Sequence, residues 1–144
     1  MFVFDTDHLS LLQRDNGRST SHLVSRLDEC DEADFWVSIV SFHEQFQGWN
    51  AYLNKADDRE NLVLGYARFE KLLKAFSGYQ LLPFDEAAAE ICSDFRKQKI
   101  RVGTMDLRIA SIAIANDMTL LTRNTVDFER VPGLLFEDWT LPDV

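Results

Sequence analysis

Short apolar runs alternate along the chain with longer stretches in which apolar residues return every three or four positions. The runs are Phe2–Phe4, Phe35–Val40, Gln80–Phe84, Thr119–Thr122 and Leu134–Phe136. Each is strand-sized and carries aromatic or branched side chains, which suit a pleated backbone. Between them, Phe42, Phe46, Trp49 and Leu53 mark one helical face. Leu62, Tyr66, Phe69, Leu73 and Phe76 repeat the stripe, with Gly78 as a C-terminal stop. This second stripe reads first as a core face and second as a partner surface. Ala88, Ile91, Cys92 and Phe95 make a third face, and Leu107–Ala115 is apolar nearly all round, predicting a helix buried against a sheet. Strands alternating with helices predict right-handed βαβ units. The expected class is α/β, with a mostly parallel sheet flanked by helices.

No repeat, proline-rich linker or low-complexity tract divides residues 1–144, so one domain is expected. Pro83, Pro132 and Pro142 fall at element ends, and the acidic run Asp28–Asp34 reads as a solvated loop. Fifteen Lys and Arg against 24 Asp and Glu give a formal charge of -9. That excludes a generic basic nucleic-acid-coating protein, but not an enzyme that meets nucleic acid through metal ions. Cys30 and Cys92 form no C-x-x-C pair, which argues against a disulfide framework or structural zinc and for a reducing cytoplasm. Met1 runs straight into an apolar triplet and Asp5, without a basic segment or a long apolar stretch. Neither a signal peptide nor a membrane span is expected.

In open α/β sheets the binding crevice lies beyond the carboxyl ends of the strands, so acids that follow strands carry the most information. Asp5 follows the first run directly. Glu44 lies in the helix after the second, Asp127 shortly after the fourth, and Asp106 at the start of the apolar helix. Each has a structural explanation. Asp5 and Asp106 fit helix caps, Asp127 fits a turn, and Ser41-Phe42-His43-Glu44 fits a capping box with Ser41 at N-cap and Glu44 at N3. Together, however, four carboxylates at one rim repel each other unless a cation neutralises them. All-oxygen ligands without His or Cys suit Mg²⁺ or Mn²⁺ rather than Zn²⁺. His43-Glu44-Gln45-Phe46-Gln47 lacks the second histidine of a zinc helix. His8 and His22 have no ligand spacing and read as surface or packing residues. Walker, G-x-G-x-x-G and G-x-S-x-G motifs are absent.

In order along the chain stand Asp5-Thr6-Asp7-His8-Leu9-Ser10, Val37-Ser38-Ile39-Val40-Ser41-Phe42-His43-Glu44, Leu82-Pro83-Phe84-Asp85 and Gly103-Thr104-Met105-Asp106-Leu107-Arg108. Leu120-Leu121-Thr122-Arg123-Asn124 and Asp127-Phe128-Glu129-Arg130-Val131-Pro132-Gly133 complete the series. This ordered set resembles the PIN-domain ribonucleases, most closely the VapC-like toxins of type II toxin–antitoxin pairs. The resemblance implies a three-layer sandwich and a metal-dependent endoribonuclease. Asp5, Glu44 and Asp106 match the family's first three acids and are the implied Mg²⁺ (or Mn²⁺) ligands. Two positions depart from the pattern. Asp7 stands where the family usually has Asn, and Asn124 stands where a fourth acid is common, with Asp127 as its possible substitute.

The implied catalytic set is therefore Asp5, Glu44, Asp106 and Asp127, with Thr122 and Asn124 expected to contact the substrate phosphate or a bound water. The chemistry would be metal-activated attack of water on an RNA phosphodiester. Single-stranded or looped RNA is the expected substrate class. Arg96-Lys97-Gln98-Lys99-Ile100-Arg101 is a candidate substrate lip, although cations at a helix C-terminus also complement its dipole. The implied partners are a small antitoxin protein and a second copy of the chain, with no membrane. Two alternatives stand beside this reading. One is a haloacid-dehalogenase-type phosphatase using Asp5 as nucleophile, although Leu9 departs from that motif. The other is a non-catalytic module that only binds a partner.

Overall fold

The computed structural model describes residues 1–14 and 18–142. Five strands form one all-parallel sheet: β1 (Phe2–Phe4), β2 (Phe35–Ser38), β3 (Leu81–Leu82), β4 (Thr119–Leu121) and β5 (Phe136–Glu137). Their order is β3-β2-β1-β4-β5. The chain builds outward from β1 through β2 to β3, then crosses back to lay β4 on the other side of β1. The helices are α1 (Thr6–Arg14), α2 (Arg18–Asp28), α3 (Ile39–Lys55), α4 (Arg59–Ser77), α5 (Glu86–Lys97), α6 (Thr104–Ala115) and α7 (Thr125–Phe128). No helix of the described residues is long and apolar enough to cross a membrane.

Strand side chains alternate between two separate cores, as a period of two requires. Val3, Leu82 and Leu120 join Ile109, Ile112, Phe95 and Phe128 on the α5–α6–α7 side. Phe4, Val37 and Leu121 join Leu9, Leu23, Leu72 and Trp139 on the other. Helix α6 is the apolar segment foreseen in the sequence, and Leu107, Ile109, Ala110, Ile112 and Ala113 are all buried. The sheet thus lies between two helical layers, which gives the three-layer α/β sandwich.

Two expectations are corrected. The second apolar run is strand only to Ser38, whose side-chain oxygen accepts from Ser41 N–H at 3.2 Å and starts α3 at Ile39. The α4 stripe is not wholly a core face. Phe76 is buried, but Tyr66 and Leu73 are 64% and 66% exposed. Helix α4 packs chiefly on α3, so one line of residues suffices to cover the contact. That line includes Gly65, Phe69, Leu72 and Phe76, with Phe46 and Phe69 rings 5.0 Å apart. A Cβ at Gly65 would run into the Leu53 side chain, so glycine permits the close approach of the two helices.

Candidate active site

Neighbouring β1 and β4 leave the sheet in opposite connections, and their carboxyl ends form the crevice where open α/β sheets bind ligands. Asp5 N–H donates to Leu121 O at 2.9 Å, which extends the pairing one residue past β1. The buried Asp5 carboxylate accepts from Thr6 N–H at 2.8 Å through Oδ1 and from the Thr122 hydroxyl at 2.7 Å through Oδ2. Burial is the main cause that pushes the Asp5 carboxyl up to about 7. The charges of Asp7 and Asp106 add to the rise, and the two hydrogen bonds only partly offset it.

Glu44 comes from α3 on the β2 side. It is not the N3 partner of a capping box, because the N-cap is Ser38 and Ser41 lies inside the helix. Its Oε1 instead accepts from the Thr6 hydroxyl at 2.8 Å, and that hydroxyl also lies 3.0 Å from the buried Ser41 hydroxyl. Partial burial raises the Glu44 carboxyl above the ordinary range, and Asp106 and Asp7 push it further.

Asp106 occupies the first turn of α6 without capping it. The N-cap is Gly103, and no side chain closes that helix end. The carboxyl of Asp106 is raised by burial first, then by Asp127 and Asp7. Asn124 bridges two acids, its amide nitrogen 3.4 Å from Asp106 Oδ2 and 3.0 Å from Asp127 Oδ2. Asp127 also meets the Arg130 guanidinium at 3.5 Å, and the same nitrogen donates to Arg101 O at 3.1 Å. The basic segment is thereby tied to the rim through Arg130.

The expected site residues thus meet through short links. Thr6 joins the Asp5 strand end to Glu44, Thr122 holds Asp5, and Asn124 joins Asp106 to Asp127. Thr122, expected at the substrate, is fully buried, with its hydroxyl engaged by Asp5 and by Asn124 N–H at 3.0 Å. It lies beneath the carboxylates. Each acid is held by a neutral donor or a cation, and among the described residues no three ligands converge on one point as the side chains stand.

The sequence did not single out Thr6, and His8, expected as a surface or a packing residue, is a packing one. The His8 ring is fully buried. Its Nε2 accepts from Trp139 N–H at 3.2 Å, which leaves the ring proton on Nδ1, facing Asp7 Oδ1 at 3.0 Å. The Asp-x-Asp-His spacing at a strand end was the available signal. Its partner, Trp139, lies 131 residues away.

Comparison with known proteins bears on the family and the fold. The family model described as PIN domain matches residues 3–134. The chain is 42% identical over 81 residues to "Ribonuclease VapC1" of Rickettsia felis, covering 54% of this chain and 59% of that protein. That alignment spans less than two thirds of the relative's length. Against "Ribonuclease VapC" of Rickettsia bellii, identity is 36% over 136 residues, covering 92% and 91% of the two chains. Among solved structures, a toxin-antitoxin complex from Klebsiella pneumoniae contains a similarly folded chain. Its TM-score is 0.65 at 21% identity, over 94% of this chain and 96% of that one.

Proposed function

This chain belongs to the PIN domain family, and from that premise we propose that it is a metal-dependent endoribonuclease, the toxin of a type II toxin–antitoxin pair. The observation that carries the reading is the set of three partly or fully buried acids, Asp5, Glu44 and Asp106, drawn from three elements to one crevice, each raised first by burial and then by neighbouring negative charge. Such a set is costly without a cation. Its donors are all hard oxygens, which fit Mg²⁺ or Mn²⁺. Asp5, Glu44 and Asp106 would hold the ion. When bound, it supplies positive charge that acidifies a water and neutralises the phosphate.

The remaining work falls to the chain's own side chains. Thr122 and the Thr6 N–H hold the Asp5 carboxylate in place at the strand end. Thr6 fixes Glu44 at the other wall, where its carboxylate would complete the ion's shell or orient a water. Asn124 carries an amide able to turn from Asp106 and Asp127 toward a phosphate oxygen. Arg130 provides a cation beside Asp127 for the RNA backbone, and its bond to the Arg101 carbonyl ties the basic segment 96–101 to the same rim.

An antitoxin protein is the proposed partner, in keeping with the complex that holds the similar Klebsiella chain. A second copy of this chain is the other, with the exposed side of α4 as the contact. A reducing cytoplasm is the proposed compartment, supported by Cys30 and Cys92, both unpaired. The deciding experiment sequences the RNA ends made in Mg²⁺ and in EDTA, by the wild type and by Asp106→Asn. Defined internal cuts that vanish in EDTA and in the variant are expected. Equal cleavage in either control would overturn the reading.

A further inference from the structure

One charged group at the crevice is absent from the ligand set above. Asp7 leaves the first turn of α1, and its side chain stays 32% exposed while being held at both oxygens. Oδ1 faces the His8 Nδ1 proton at 3.0 Å. Oδ2 accepts from Arg123 N–H at 3.0 Å and lies 3.4 Å from the Thr122 hydroxyl, the group that also holds Asp5. Asp7 therefore rests on the turn 122–124 that carries Asn124, beside the end of β4.

His8 makes this placement rigid. A fully buried imidazole has no freedom to rotate, and the backbone N–H of Trp139 fixes which nitrogen keeps the proton. A donor buried at that depth needs an acceptor, and Asp7 is the one provided. A carboxylate needed only to complement the α1 dipole would not require a buried ring, a distant backbone amide and the β4 turn to set its orientation.

We propose that Asp7 is a further cation-binding carboxylate of the active site, working with Asp5 and Asp106, and that His8 is its positioning residue. The proposal rests on the nuclease reading above and deepens it. Its electrostatic support is that Asp7 is a charge felt at Asp5, Glu44 and Asp106 alike. The competing reading makes Asp7 a structural acceptor for His8 alone.

The two separate by metal binding measured directly. Mg²⁺ is titrated into EDTA-stripped wild type, Asp7→Asn and Glu90→Gln, followed by calorimetry and by the shift in Tm. Glu90→Gln makes the same charge change at an exposed position of α5. Asn keeps an acceptor for His8. The expected result is a loss of about tenfold in Mg²⁺ affinity for Asp7→Asn, with Glu90→Gln binding as wild type. A second measurement needs no variant at Asp7. In the wild type, the NMR signal of the His8 Nδ1 proton should shift along the same Mg²⁺ isotherm. Wild-type affinity in Asp7→Asn, or a His8 signal unmoved while Mg²⁺ binds, overturns the role of Asp7 and leaves the nuclease reading intact. No Mg²⁺ binding by the wild type overturns both.

Discussion

The Thr122 hydroxyl donates to Asp5 Oδ2 at 2.7 Å, across the junction where β1 and β4 leave the sheet. Both residues are buried, and 117 positions separate them in the chain. Thr122→Val keeps the shape and removes the donor. Asp5 then loses a hydrogen bond and Asn124 N–H loses its acceptor. A cost of about 1–3 kcal/mol is expected, larger at pH 8 than at pH 5, because the ionised carboxylate needs the donor more. Urea denaturation at the two pH values measures it, and an equal cost at both would count against the role assigned to this pair.

Asp5 also sets a pH dependence. Its folded-state pKa of about 7 lies above the ordinary 3.8 of the unfolded chain, so between those values the folded state binds more protons. Its contribution to stability is fully present below about 4 and is lost as pH rises through about 7. Glu44 and Asp106, raised in the same direction, act with the same sign. In EDTA, the stability of the wild type relative to Asp5→Asn should fall across this window. A difference that stays flat or rises would contradict the assignment.

Glu44→Gln separates position from charge. The Gln carbonyl can still accept from Thr6, so melting in EDTA should change little or rise slightly as repulsion from Asp106 is relieved. Cleavage should fall by about a hundredfold or more, with a smaller Mg²⁺-induced rise in Tm. Normal cleavage by this variant would remove Glu44 from the site and leave Asp5, Asp106 and Asp127 to hold the ion.

The outer side of α4 bears Tyr66 and Leu73, both largely exposed. If this side joins two copies, light scattering should give a mass that reaches the dimer with concentration. Tyr66→Asp together with Leu73→Asp should hold the protein monomeric, with a Tm equal to that of the dilute, monomeric wild type. A wild type that stays monomeric at high concentration would exclude this contact.

Much of this molecule is written locally in its sequence. The alternation of apolar runs with helical stripes determines the α/β class, because period two and a period of about 3.6 residues bury different faces. The apolar girth of α6 determines that it is buried, and the acids that follow strands determine which side of the sheet is charged. Ser38-x-x-Ser41 and Ser41-x-x-Glu44 offer the same capping chemistry in the sequence, and the end of β2 at Ser38 selects the first. Only the tertiary structure decided which face of α4 is covered, since that depends on how closely Gly65 lets α3 approach. It alone decided the partners of the carboxylates. Thr6 reaches Glu44, Thr122 reaches Asp5, and Trp139 fixes His8 against Asp7, over separations of 38, 117 and 131 residues. A local pattern reports which face of an element is apolar. It carries no record of which distant backbone amide arrives to satisfy a buried ring, because that is settled only when the strands are laid side by side.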